Sequence, residues 1–255
     1  MKLAQYFALS LFILVASCTY TTGEGSSVEK EFDLDSFEGV ALQGSFDVNI
    51  EQGAAQKVVA VGHENIIEKL VLKVEDDVLH ISLEPGSYFN FDLEVNITVP
   101  SLKSIALDGS GDILIDTFVD LNELSVKLDG SGDIKSKGTL EVKGMSAVSL
   151  DGSGDIELRL KANEVNAKLN GSGDIVLEGV AESLKADLQG SGDIKAYSLE
   201  AKNCVAKLEG SGTIRLLASK KLKAELEGSG SIRYRGEPKV EADVSGSGNV
   251  SADND

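Results

Sequence analysis

The residues with the most chemistry to offer are aspartates that recur in pairs. Asp108 and Asp112 flank a Gly-Ser-Gly triplet, and the arrangement returns as Asp129 with Asp133 and as Asp151 with Asp155. Carboxylates are hard oxygen ligands, so a close-set group suits Ca²⁺, and singly they accept hydrogen bonds from the hydroxyls of a glycan. Either use requires the chain to bring successive pairs side by side. Other chemistry has little support. His63 and His80 are the only histidines, 17 residues apart with no Cys or His at ligand spacing, which leaves metal and triad constellations unformed.

What must position the aspartates is the triplet itself. Gly-Ser-Gly begins at Gly109, Gly130, Gly152, Gly171, Gly190, Gly210, Gly228 and Gly246, at spacings of 18 to 22 residues. Recurrence near that period marks stacked units, each too small to bury its apolar face alone. Two residues before each triplet stands Leu, or Val at Val244, and four after its first Gly stands Ile, or Val at Val250. Four before it come Ile105, Val126 and Val148, then alanine from Ala167 onward. These offsets are even, so one apolar face runs straight through both glycines, as it does in a strand.

Two geometries accommodate that pattern: a hairpin loop in an antiparallel meander, or a bend between short strands of a parallel coil. A hairpin sets Asp108 opposite Asp112, and like charges facing across a ladder destabilise it. A coil stacks each residue on its own equivalent one turn away, which accounts for columns of identical residues. The expected fold is therefore an all-β parallel β-helix with coils of roughly 20 residues. In it Gly109, Gly111, Gly130, Gly132, Gly152, Gly154, Gly171, Gly173, Gly190 and Gly192 are structural corners too tight for a side chain. The antiparallel meander is the alternative.

In such a coil, Asp108, Asp129 and Asp151 form one outward column, continued by Asn170, Gln189, Glu209, Glu227 and Ser245. Asp112, Asp133 and Asp155 form a second, continued by Asp174, Asp193, Thr213, Ser231 and Asn249. Carboxylates about 4.8 Å apart repel by about 1 kcal/mol in water. Bound Ca²⁺ is one relief. The other is the interleaving of Lys127, Lys168 and Lys207 beside the first column and Lys135, Lys195, Arg215 and Arg233 beside the second. A solvated, charge-balanced face and a cation or glycan contact at Asp108, Asp112, Asp129, Asp133, Asp151 and Asp155 thus both remain open. No other cofactor is expected.

The ends of the chain read differently. Residues 1–17 pair a basic start with a short apolar run, which reads as an export signal. The run closes in Val15-Ala16-Ser17-Cys18, which resembles the bacterial lipobox. That resemblance implies cleavage before Cys18, lipidation of its thiol and amine, and anchoring in the bacterial outer membrane, on its periplasmic or surface-exposed side. Residues 18–31 are small and polar and are expected to form a flexible tether. Residues 32–255 then form a single domain. Within it 32–100 make irregular first coils that cap the stack, 101–250 make the regular repeat, and Asn65 to Leu70 is the one helical turn. Gly44-Ser45-Phe46-Asp47-Val48 looks like a degraded repeat unit. Cys204, six before Gly210, falls in an apolar column and is expected to be a buried thiol. A net charge of −18 argues against nucleic acid or anionic lipid as partners. The sequence leaves the oligomeric state open.

Phe37-Glu38-Gly39-Val40, Leu79-His80-Ile81, the strand ending at Pro100 and the Gly-Ser-Gly-Asp-Ile units together resemble the putative auto-transporter adhesin, head GIN domain family. The resemblance covers roughly residues 32–250. It implies a right-handed, pectin-lyase-like β-helix in an exported bacterial protein that binds a glycan, matrix or protein at the cell surface, without catalysis. A ligand-free envelope spacer and a polysaccharide-active enzyme are the alternatives. The enzyme needs a cleft shaped by long loops, which the narrow range of triplet spacings does not offer.

Overall fold

The structure, a computed structural model, describes residues 20–253. The expected signal sequence and Cys18 lie outside these residues. The N-terminal part runs β1 (Tyr20–Thr22), β2 (Ser27–Phe32), β3 (Gly39–Gly44), β4 (Asp47–Gln52), β5 (Lys57–His63), α1 (Glu64–Ile67), β6 (Leu70–Glu75), β7 (Val78–Leu83), β8 (Ser87–Phe89) and β9 (Leu93–Val99). The repeat follows with β10 (Ser104–Gly109), β11 (Asp112–Ile115), β12 (Phe118–Leu121), β13 (Leu124–Gly130), β14 (Asp133–Gly152), β15 (Asp155–Gly171), β16 (Asp174–Gly190), β17 (Asp193–Gly210) and β18 (Thr213–Gly228). It ends in β19 (Ser231–Arg235), β20 (Lys239–Gly246) and β21 (Asn249–Ala252).

From β10 onward every pairing is parallel and every residue meets its equivalent. Leu107 lies beside Leu128, Leu128 beside Leu150, and Ile113 beside Ile134. The chain is thus a parallel β-solenoid, and the antiparallel meander is excluded for the repeat. Each coil has three sides: one ending at the first Gly, one starting after the second, and a third joined to both through register shifts such as Lys135 to Thr139. The Leu, Ile and Val columns, the alanines from Ala167 to Ala224, and Cys204 fill the single interior.

The glycine pair is required by how closely coils approach. The first Gly of each triplet adopts a positive φ, 139° at Gly152, and a side chain there would meet the carbonyl oxygen of Gly130 at 2.1 Å. At Gly154 the added carbon would lie 2.0 Å from the oxygen of Gly132. With no side chains in the way, the corner continues the ladder: Ser153 and Gly154 both donate N–H to the Gly130 carbonyl, at 2.9 and 3.2 Å. The β-structure therefore turns without losing its hydrogen bonds.

Residues 32–99 only partly follow the expected coils. Strands β3 and β4, joined by Gly44-Ser45-Phe46, form a true coil in register with β10 and β11, so the degraded repeat is real. Below it, β7 and β9 run parallel to β3 and β4 and make one more layer. The remainder is antiparallel: β6 closes the edge of β7, while β5 and then β2 close the edge of β9. The single turn α1 puts Ile66 and Ile67, 0% and 2% exposed, into the end of the core. These antiparallel strands occupy hydrogen-bonding edges of β7 and β9 that would otherwise be open to another chain. After β9 the chain climbs past the β3–β4 coil. Gln52 ties the passage down, donating to the carbonyls of Pro100 and Val119 and accepting from the Val119 N–H.

Two expectations are corrected. Residues 18–31 were expected to be a flexible tether, yet Tyr20–Thr22 pairs with Ser87–Phe89 and Ser27–Phe32 pairs with β5. Val28 and Phe32 alternate toward the core, and β5 has a free edge that their strand satisfies. The folded unit thus includes residues 20–31 as well as those from residue 32 onward. The uniform triplet spacing also hid a long excursion in the cap. Between β7 and β9, where other coils turn on three residues, Glu84–Asp92 loops outward and carries β8.

Candidate functional site

The two aspartate columns turn out to be chemically unlike. In the second, the carboxylates as far as Asp174 accept a backbone N–H from the coil above. Asp133 donates to Asp112, Asp155 to Asp133, Asp174 to Asp155 and Asp193 to Asp174, at 3.1 to 3.2 Å. The ladder starts earlier than the regular repeat, at Asp47, which accepts from Asp112 at 3.3 Å. The far oxygens take cations: Lys135 on Asp133 at 2.8 Å, Lys195 on Asp174 at 2.5 Å, Arg215 on Asp193 at 2.8 Å. With the Asp133, Asp174 and Asp193 side chains only 27–32% exposed, the column's oxygens are largely committed to holding coils together.

Asp47 itself departs from its ordinary acidity. Desolvation raises its pKa, and the negative charges of Asp112 and Glu94 add to the rise against the hydrogen bond that opposes it.

The first column is free of such duty. Asp108, Asp129 and Asp151 stack in register and are exposed, with the Asp129 side chain 57% accessible. Lys127 lies 3.8 Å from Asp129, and Asn170 reaches Asp151 only at 3.4 Å. The neighbouring outward column is built of small residues here, Ala41 and Ala106 between His80 and Lys127. The difference in length leaves a hollow of about 290 Å³ over the side that ends in the triplets. Its floor is aliphatic and its walls are Gln43, His80, Ser82, Asp108, Lys127 and Asp129. Donors and acceptors thus face one another across an apolar base, a layout that matches a ring bearing several hydroxyls. Farther along the same side, the hollow gives way to dense ion pairs such as Lys207 with Glu209 and Lys223 with Glu225.

A larger cleft of about 530 Å³ lies where Glu84–Asp92 loops out. Phe46, Tyr88, Phe89 and Phe91 line it together with Asp47, Asp92 and Glu94. The Tyr88 and Phe91 rings meet edge to face at 6.0 Å, and the Tyr88 hydroxyl donates to the Glu84 carbonyl. His63 braces the loop by accepting the Asp92 N–H at 3.0 Å, a positioning role and not metal ligation. Among the described residues, no group of three His, Cys, Asp or Glu converges as a metal site requires. Sequence patterning missed this cleft because it is built once and has no repeat to betray it. The aromatic run Tyr88-Phe89-Asn90-Phe91 in a chain with 5% aromatics was the available signal.

Of the other expected sites, all ten glycines fall at the corners described, and Cys204 is 2% exposed with its thiol pushed up to about 12 by burial. Among the described residues no helix is long and apolar enough to cross a membrane.

A parallel β-solenoid of stacked three-sided coils defines the architectural class. The chain belongs to the putative auto-transporter adhesin, head GIN domain family, whose pattern matches residues 36–238. Solved structures agree in fold. A putative lipid binding protein of Parabacteroides distasonis is 26% identical with a TM-score of 0.85, over 92% of this chain and 99% of its own. A putative adhesin of the same organism is 24% identical with a TM-score of 0.83, over 92% and 100%. A putative adhesin of Parabacteroides merdae is 24% identical with a TM-score of 0.83, over 91% and 98%. No curated protein matches the chain.

Proposed function

We propose that this chain is an adhesin-like envelope protein, lipid-anchored through Cys18 in the bacterial outer membrane, that binds a glycan without catalysing its cleavage. The observation that carries the glycan reading is the hollow over Ala41 and Ala106. It presents Asp108 and Asp129 as acceptors and Gln43, Ser82, His80 and Lys127 as donors above an aliphatic floor. At about 290 Å³ it sits at the small end of ligand sites, suited to one sugar unit at a time. Weak single contacts gain strength when a repeating polysaccharide meets several molecules on one surface. The family's adhesin name supports the same reading.

The second aspartate column is the weaker candidate, because Asp112, Asp133, Asp155 and Asp174 each give an oxygen to the next coil's amide and Asp133, Asp174 and Asp193 meet Lys or Arg. Ca²⁺ would have to gather Asp108, Asp129 and Asp151, which do not converge beforehand; a rise in melting midpoint at millimolar Ca²⁺ tests it, and no rise rejects it.

The test is a glycan array probed with the mature domain, repeated with Asp108→Ala/Asp129→Ala. Binding that the double variant abolishes supports the reading. An array at background for the parent protein rejects the glycan, and leaves the ligand-free spacer as the remaining role. Cys18→Ala tests the anchor separately: the protein should leave the membrane fraction.

A further inference from the structure

The two most exposed large hydrophobic residues among those described are Tyr20 at 71% and Phe89 at 69%. They belong to the same two-stranded ribbon, β1 against β8, with Tyr20 beside Ser87 and Thr22 beside Phe89. In a parallel pair, aligned residues point the same way and alternate ones share a face. Tyr20, Thr22, Ser87 and Phe89 therefore make one exposed face, while Thr21 and the half-buried Tyr88 turn inward. The face carries no charge, and neither do residues 85–91 or 19–23, in a chain with 26% charged residues.

Exposed apolar residues that share one uncharged face mark a surface that meets a partner or a membrane. The position of the ribbon says which. Tyr20 is already part of the fold, and Cys18 is two residues away, at most about 7 Å along an extended chain. The ribbon is also pinned to the cap: the Asn65 side chain donates to the Thr22 carbonyl at 2.7 Å and accepts the Glu24 N–H at 3.0 Å. An acylated Cys18 would thus keep this face close to the bilayer.

We propose that the Tyr20/Phe89 face of the β1–β8 ribbon docks on the lipid bilayer that receives the Cys18 acyl chains. A Tyr ring favours the headgroup level, where its body is apolar and its hydroxyl wet, and the wholly apolar Phe ring beside it gains by entering the acyl boundary. The ribbon sits at the capped end of the solenoid, so docking directs the open coil, β20 and β21, away from the membrane. The carboxylates of Asp47, Asp92 and Glu94 in the adjoining cleft, together with the chain's net charge of −18, fit a zwitterionic surface and oppose an anionic one. This inference rests on the lipid-anchor reading.

The chain contains no Trp, so a single one can serve as a probe. The experiment uses the full lipidated protein carrying Phe89→Trp, reconstituted in phosphatidylcholine vesicles brominated in the upper acyl chain. Val244→Trp at the far end, 43% exposed in the parent, is the reference. Vesicle flotation reports the anchor, and circular dichroism melting confirms that both variants fold. Docking predicts that Phe89→Trp shifts to the blue and loses most of its emission, while Val244→Trp keeps its own. Flotation with equal, unquenched emission from both overturns docking and leaves the anchor standing. Failure to float overturns the anchor and the docking with it.

Discussion

The two ends of the solenoid solve one problem in opposite ways. At the N-terminal end the parallel stack is shut: α1 plugs the core with Ile66 and Ile67, and β6, β5 and β2 cover the strand edges in antiparallel register. At the C-terminal end nothing in the described chain covers β20 and β21. Val244 is 43% exposed, whereas its column mates Leu107, Leu128 and Leu150 are at 1% or below. What guards that end is charge, with Lys239, Glu241 and Asp243 along the last edge strand, a known deterrent to edge-to-edge pairing. Hydrophobic closure lends stability and charge lends solubility, and only the first makes the adjoining coils hard to open.

The hardest blow to that contrast is to unplug the shut end. Ile66→Ala removes a fully buried side chain, and equilibrium denaturation should show a loss of about 2–5 kcal/mol. A cost below 1 kcal/mol would mean the cap is ornamental. Next comes the same substitution at two depths of the stack. In Gly154→Ala the new carbon presses on a backbone oxygen at 2.0 Å, and about 1–3 kcal/mol should be lost. In Gly248→Ala the nearest obstacle is the movable Leu226 side chain, and the backbone oxygen of the preceding coil, on Gly230, stands farther off at 2.6 Å. Its loss should be clearly smaller, and equal losses would show the last coil to be packed as firmly as the middle.

A smaller effect distinguishes the acids of the capped end. The raised pKa of Asp47 means the folded chain holds that proton more tightly than the unfolded one, so its ionised form works against folding. The penalty is absent below the ordinary value of 3.8 and sets in as pH rises past it. Asp47→Asn should therefore melt above the parent at neutral pH, with the gap closing under acid conditions. A gap that persists at low pH would trace to packing instead. The mildest probe is Cys204. With its thiol pushed up to about 12 and two coils between it and the open end, alkylation at mildly alkaline pH should proceed only as fast as those coils fray. Labelling as fast as in urea would show the open end to be unravelled.

The repeat was legible because it repeats. Eight aligned copies made the even offsets of Leu, Gly and Ile visible, and like charges at Asp108 and Asp112 spoke against a hairpin. The columns then followed, residue against equivalent, as the pairing of Asp129 with Asp151 shows. The cap was illegible for the converse reason. Lys57 to Val61 and Val78 to Leu83 look like strands, but nothing in a single copy says which neighbour each will choose or in which direction. Ser27–Phe32 passed for a tether because only Val28 and Phe32 mark its apolar side, and its partner β5 lies over 25 residues on. Which aspartate column is spent and which is free depends on carboxylate direction at the corner, which residue types alone do not specify.

The coil-to-coil handshake has a consequence for how this protein can vary. Each turn offers its successor the contacts it received: a glycine carbonyl for two amides and, as far as Asp174, a carboxylate for a third. Inserting or deleting a whole turn therefore leaves every junction chemically intact. Lineages can thus lengthen or shorten the rod in steps of about 4.8 Å while leaving the capped base untouched.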